Sequence, residues 1–212
     1  MKLHTYFRSS AAFRVRIALN LKGIAYESAF VHLPKGEHRA LAYGAVNPQA
    51  LVPTLDDAGT LLTQSLAIIE YLDETHPETP LLPKDPPGRA RVRSLALLIA
   101  CEIHPLNNLR VLQHLKRVLG QNEDQINTWY RHWIADGLAR FEADLAGAKG
   151  TGRFCHGDAP GMADCCLVPQ IFNAQRYQCD TTPYPTALRV FAECMKLEAF
   201  DRAQPSKQPD AE

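Results

Sequence analysis

The chain has 212 residues, 46% of them apolar, and its 23 basic and 23 acidic side chains cancel to a formal charge of zero. That size buries a substantial core in one or two domains. The balanced charge argues against nucleic acid or an anionic membrane as the main partner, so an anionic ligand must be gripped by locally placed arginines.

The start Met1-Lys2-Leu3-His4 carries no long apolar segment, and no uninterrupted apolar stretch is long enough for a bilayer, which predicts a soluble cytoplasmic protein. Residues 2–6 partly alternate and predict a strand. Ala12 to Leu21, with Phe13, Val15, Ile17, Ala18 and Leu21 apolar before Gly23, predicts a helix. Tyr26 to Leu33 reads as a second strand, and residues 52–62 as two short strands around a turn at Asp57-Ala58-Gly59. Ser65 to Leu72 places Leu66, Ile68, Ile69 and Leu72 at helical spacing. The order βαβ then ββα suits a small mixed sheet with helices against it.

Five prolines (Pro77, Pro80, Pro83, Pro86, Pro87) mark the best domain boundary, dividing residues 1–80 from 88–212. Beyond it strand signals nearly vanish. Arg89 to Leu119 reads as one helix of ~45 Å at ~1.5 Å rise per residue, bent at Pro105. Asn122–Leu145 and Met162–Arg176 read as further helices, and the polar tail from Gln204 as loose. Six cysteines (Cys101, Cys155, Cys165, Cys166, Cys179, Cys194) lack Cys-x-x-Cys spacing and read as free thiols. Cys155-His156 with Cys165-Cys166 lacks the ligand spacing of a zinc site, so no metal is expected.

The densest chemistry lies in Arg8-Ser9-Ser10-Ala11-Ala12-Phe13-Arg14-Val15-Arg16-Ile17-Ala18-Leu19, where two hydroxyls fall at a strand-to-helix junction. Unpaired N–H groups and the positive dipole end at a helix start favour an anion or a thiolate. A plain serine cap is the alternative. This motif resembles that of the zeta-class glutathione transferases. Further matches are Val52-Pro53-Thr54-Leu55, Gln64-Ser65-Leu66-Ala67-Ile68-Ile69-Glu70-Tyr71-Leu72, Ile103-His104-Pro105-Leu106-Asn107-Asn108-Leu109 and Asn173-Ala174-Gln175-Arg176-Tyr177. The resemblance spans nearly the whole chain. It implies an α/β plus all-α glutathione transferase fold: a thioredoxin-like domain with a βαβ-ββα mixed sheet, then an all-helical domain.

The resemblance also implies glutathione as cofactor and a homodimer. It makes Ser9 the donor to the glutathione thiolate, with Ser10 lending a backbone N–H or capping the helix. Bringing a thiol from near ~8.5 to about 7 takes ~2 kcal/mol, within reach of one charge-assisted hydrogen bond at a helix start. Val52, before an implied cis Pro53, would meet the cysteinyl part. Gln64 and Ser65 would hold the γ-glutamyl carboxylate, although Ser65 also reads as a plain cap. His104 and Asn108 would share one helix face across the Pro105 bend and contact glutathione. Arg110 belongs to the same motif, and His38 aligns with a glutathione-contacting glutamine. Arg8 and Arg176 are suited to substrate carboxylates, while Arg14 and Arg16 anchor the first helix.

Two departures stand out. Ala11 replaces the cysteine common in the class, leaving glutathione's sulfur as the nucleophile. Gly161 replaces the usual Ser or Thr cap, so Asp164 can supply only half of a capping box. The activity implied is glutathione-dependent cis–trans isomerisation of maleylacetoacetate, a small dicarboxylate, to fumarylacetoacetate in aromatic amino-acid breakdown. Maleylpyruvate isomerisation and a glutathione-fold binding protein without turnover are the alternatives.

Overall fold

Strand β1 (Lys2–Thr5), helix α1 (Ser10–Leu21) and strand β2 (Glu27–Phe30) open the chain in the order the periodicities predict. β1 and β2 run parallel, which requires a crossover, and α1 supplies it. After a 3₁₀ turn at Glu37–Arg39 and the single-turn α2 (Leu41–Gly44), β3 (Thr54–Asp57) and β4 (Thr60–Thr63) form an antiparallel hairpin. Positive φ at Ala58 and Gly59 makes its tight turn, where Gly59 N–H donates to Asp56 at 2.8 Å. The sheet order is β2-β1-β3-β4. Leu3 pairs with Leu55, and Leu55 with Leu62. α3 (Ser65–Thr75) packs on α1, burying Ile68, Ile69 and Leu72.

The computed structural model describes residues 1–212. The chain forms two compact units, Met1–Leu81 together with Met195–Glu212, and Leu82–Cys194. The regular structure of the second unit is all helix, with no strand. It begins with α4 (Pro86–Leu97), whose cap Asp85 accepts from Gly88 N–H at 2.7 Å with proline in the first turn.

The expected single helix over 89–119 is in fact interrupted. α4 runs into a π-helical stretch at Leu98–Ile103, where His104 N–H reaches back five residues to Ile99. Pro105 has no N–H to continue the ladder. Asn108 then turns extended (φ −67°, ψ 147°) and caps α5 (Leu109–Arg117), its side chain accepting from Arg110 N–H at 3.1 Å. His104 and Asn108 therefore do not share a regular helix face. α6 (Glu123–Ala146) starts with a reciprocal capping box between Asn122 and Gln125, both bonds 2.9 Å.

α7 (Met162–Arg176) has only half a box, as Gly161 requires. Asp164 accepts from Gly161 N–H at 2.8 Å and, through its other oxygen, from Cys155 N–H at 2.9 Å. α8 (Pro185–Met195) closes the second unit, and Glu142 of α6 takes the Thr186 and Ala187 N–H groups at its start.

The tail is a second correction. α9 (Glu198–Asp201) packs on α1, and the residues after Gln204 are tied down rather than loose. Asp210 accepts from Phe7 N–H at 3.0 Å, and Glu212 meets His32 Nε2 at 2.8 Å. Polar composition concealed this, because the bonds go to backbone and to partners some two hundred residues away in sequence.

Gly137 lies inside α6, where alanine would ordinarily be favoured by about 1 kcal/mol. A methyl there would overlap the side chain of Ile103, which is fully buried in the π-helical stretch. Overpacking should win over propensity, so Gly137→Ala is expected to destabilise the fold by about 1–3 kcal/mol. A denaturant titration checks the sign, and a higher midpoint would show that Ile103 yields freely.

Candidate functional site

The strand-to-helix junction is built by backbone bonds before any side chain acts. Ser9 N–H donates to Tyr6 C=O at 2.9 Å, and Ser9 C=O accepts from Phe13 N–H at 2.8 Å. Ser9 itself is the cap of α1, with Oγ accepting from Ala12 N–H at 3.2 Å. Of the two serines read as possible caps, Ser9 is therefore the one that caps, which leaves Ser10 the alternative of lending its backbone N–H. Ser10 is the first helical residue, and its side chain is buried. The two roles of Ser9 are compatible, because a hydroxyl that accepts from Ala12 still has its O–H to donate.

Behind the junction lies Arg16, fully buried on α1. Its Nη2 donates to Phe7 C=O at 3.0 Å, and its Nη1 to Thr5 Oγ1 at 3.1 Å and Tyr6 C=O at 3.4 Å. Its Nε donates to Ala203 C=O in the tail at 3.1 Å. Burial lowers its pKa to about 10, which leaves it charged at neutral pH. The expected anchor of the first helix is thus also the anchor of the segment that carries Ser9. Arg8 differs. It is exposed over the Phe7 ring at 4.8 Å and makes no hydrogen bond within the chain.

The Val52–Pro53 bond is cis, directly before β3. Tyr43 hydroxyl donates to Leu51 C=O at 2.6 Å, and Asn47 Nδ2 donates to Leu51 C=O at 2.9 Å and Thr54 Oγ1 at 3.1 Å. These polar groups fix the backbone on both sides of Val52. Gln64 holds φ 68° and ψ 116°, a conformation side chains rarely adopt, with its amide donating to Gln49 at 2.8 Å. Ser65 opens α3 and accepts at Oγ from Arg14 Nη1 at 3.2 Å. With that oxygen occupied as acceptor, the Ser65 hydroxyl is left to donate, the polarity a carboxylate requires.

His38 sits buried in the 3₁₀ turn, and its Nδ1 has no partner in the protein. Burial is the first cause, and Arg39 the second, that lowers its pKa, so the ring is neutral at pH 7. Tyr43, Asn47 and Gln49 escaped the sequence reading, and Arg14, read as an anchor of the first helix, was not read as a partner of Ser65. No spacing marks them, since each acts on a partner brought close only by the fold.

In the second unit, the 104–108 segment is gripped by α6. Trp129 Nε1 donates to Leu106 C=O at 2.9 Å and Asn107 Nδ2 to Tyr130 C=O at 3.2 Å. His104 and Asn108 are half-buried at its two ends. Arg110, in the first turn of α5, and Arg176, at the end of α7, are exposed, and neither side chain has a carboxylate or hydrogen-bond partner within the chain. No three His, Cys, Asp or Glu side chains are grouped so as to hold a metal ion. No helix is long and apolar enough to cross a membrane.

Two kinds of arginine are therefore distinguished. Arg14, Arg16 and Arg91 each donate to partners inside the protein, Arg91 to Cys155 C=O and Thr151 Oγ1 at 2.6 and 2.7 Å. Arg8, Arg110 and Arg176 keep their donors. A planar fork with five unspent donors suits a carboxylate bidentately.

Residues 3–80 match the family model for the glutathione S-transferase N-terminal domain. A maleylacetoacetate isomerase of Pseudomonas aeruginosa is 48% identical over 213 residues, covering 99% of this chain and 98% of its own. Among solved structures, a maleylpyruvate isomerase described as a bacterial glutathione S-transferase of the zeta class is 50% identical. It matches with a TM-score of 0.98 over 100% of both chains. A maleylacetoacetate isomerase of Methylobacterium extorquens AM1, solved with bound malonate and glutathione, is 45% identical with a TM-score of 0.97 over 100% of both chains.

The Arg16 network makes a measurable demand on stability. Arg16→Met leaves the buried carbonyls of Phe7 and Ala203 without the guanidinium donor and that of Tyr6 with Ser9 N–H alone, and should cost about 3 kcal/mol or more. Arg16→Lys keeps the charge but not the fork, and should recover less than half of that. Denaturant unfolding of both variants is the check, and a loss below about 1 kcal/mol for Arg16→Met would show that water replaces the guanidinium.

Proposed function

The chain belongs to the zeta class of the glutathione transferase family, and we propose that it uses glutathione to isomerise maleylacetoacetate to fumarylacetoacetate. The observation that carries this reading is the Ser9 hydroxyl at the start of α1, left with its proton to donate, next in the chain to an Arg8 whose donors are unspent; in the second unit Arg176 likewise keeps its donors.

The first unit receives glutathione. Ser9 donates to the sulfur, with Ser10 N–H at the positive end of α1. The Val52 backbone meets the cysteinyl part. Gln64 and Ser65 bind the γ-glutamyl carboxylate, Ser65 with its proton directed outward by Arg14. His38 Nδ1, buried and unpartnered, gains a partner when glutathione binds. From the second unit, His104, Asn108 and Arg110 are assigned to glutathione. Arg8 and Arg176 bind the two carboxylates of the substrate.

The thiolate adds to one carbon of the cis double bond, forming a C–S bond while the π electrons move to the conjugated carbonyl oxygen as an enolate. The former double bond is now single and rotates. Collapse of the enolate expels the thiolate and leaves the trans alkene. No electron is gained or lost overall, and no protein nucleophile takes part, in keeping with Ala11. Arginine charge opposes the enolate as it forms. A cytoplasmic homodimer is part of this reading, and sedimentation of the purified protein tests the dimer.

Maleylpyruvate is the second reading, favoured by the 50% identity to a maleylpyruvate isomerase. Its carboxylates lie closer together, so a site fitted to maleylacetoacetate should use it less well. The test is kcat/KM for both diacids at saturating glutathione, in wild type and in Arg176→Met. Wild type should prefer maleylacetoacetate. Arg176→Met should lose about 10- to 150-fold on either diacid, the worth of one charged hydrogen-bonded contact, with glutathione affinity nearly unchanged. Equal or better turnover of maleylpyruvate would install the second reading, and no turnover of either would leave a binding protein.

A further inference from the structure

Arg176 ends α7 exposed and without an ion pair, so something other than charge must hold its guanidinium in a fixed direction. A free arginine loses its rotamer entropy on binding, and a preorganised one has already lost it. The surroundings of Arg176 are ordered in three ways. Its Cζ stands 5.1 Å from the centroid of the Tyr177 ring. That ring is stacked on Tyr130 of α6, with centroids 3.5 Å apart and planes 13° from parallel. Since Tyr130 covers one face at contact distance, the guanidinium lies over the other.

The backbone is pinned as well. Arg131 Nε donates to Tyr177 C=O at 2.8 Å. α7 closes with a 6→1 bond from Cys179 N–H to Ala174 C=O at 2.8 Å and a bond from Gln178 N–H to Gln175 C=O at 3.0 Å. These place Gln178 at φ 54°, a left-handed position usually given to glycine. Tyr130 is buried, and its backbone C=O also receives Asn107, so the platform is continuous with the grip on the 104–108 segment.

We propose that Tyr177, backed by Tyr130, is the positioning residue that presents the Arg176 guanidinium to a substrate carboxylate, and so sets affinity for the diacid but not for glutathione. The proposal rests on the assignment of Arg176 made above. A cation held on an aromatic face gains from the ring quadrupole while its in-plane N–H groups stay free to form a bidentate pair. The hydroxyl of Tyr177 is not needed for this; the ring is.

The experiment compares Tyr177→Leu, Tyr177→Phe and Arg176→Met, with KM and kcat for the better of the two cis diacids and KM for glutathione. Tyr177→Leu should raise the diacid KM about 3- to 30-fold with a smaller change in kcat and an unchanged glutathione KM. Tyr177→Phe, which keeps the ring, should stay within about twofold of wild type. Tyr177→Met repeats the ringless test with a side chain that fills the contact with Tyr130, in case Leu impairs folding. An unchanged diacid KM in both ringless variants, while Arg176→Met is impaired, overturns the proposal alone. A wild-type Arg176→Met overturns the assignment beneath it as well. A parallel loss toward glutathione, or a Tyr177→Phe as poor as Tyr177→Leu, also overturns it.

Discussion

A guanidinium buried with no carboxylate at ion-pair distance is expensive, and it persists only where each of its three nitrogens finds an acceptor. Arg16 meets that condition by gathering Thr5, Tyr6, Phe7 and Ala203 around it. The Tyr6 carbonyl it binds is the one that also receives Ser9 N–H, so the cap of α1 is fixed from behind. The tail is recruited to the same point, with Asp210 taking Phe7 N–H. The junction that holds Ser9 is therefore made from the end of β1, the middle of α1 and a tail that lies far away in sequence.

The same economy separates framework from chemistry among the other polar groups. Arg14 Nη1 donates to Ser65, which leaves the Ser65 hydroxyl its proton to donate elsewhere. Tyr43 and Asn47 are spent on Leu51 and Thr54, which flank Val52. The donors of Arg8 and Arg176 and the Nδ1 of His38 are among the polar groups left unspent, and a ligand can use them. Counting donors thus discriminates where residue type cannot, because every one of these arginines has the same charge.

Much of this was legible in the sequence where local periodicity decides the outcome. The β1-α1-β2 order, the Asp57-Ala58-Gly59 turn, α3, and the Asn122 start of α6 follow from apolar spacing, glycine and capping chemistry that act within a few residues. The motif around Ser9 and the half box at Gly161 and Asp164 were legible for the same reason. The losses came where distant contacts decide. Pro105 suggested a bend, yet the chain uses a π-helical stretch and a new cap at Asn108, stabilised by Trp129 and Asn107 across to α6. The tail looked loose because its partners, Phe7 and His32, are remote. Which of Ser9 and Ser10 caps α1 stayed open in the sequence because one residue of register at a helix start lies below the resolution of periodicity.

The proposed chemistry turns on a glutathione sulfur anion that Ser9 would stabilise from a helix start, without any thiol of the protein. Titrating the thiolate absorbance of bound glutathione in wild type, Ser9→Ala and Ser10→Ala tests that claim most directly. The bound thiol should titrate near ~7 in wild type. It should rise by about 1 to 2 units in Ser9→Ala, worth ~1.4 to 2.7 kcal/mol, and move less in Ser10→Ala. Identical titrations in wild type and Ser9→Ala would contradict the account.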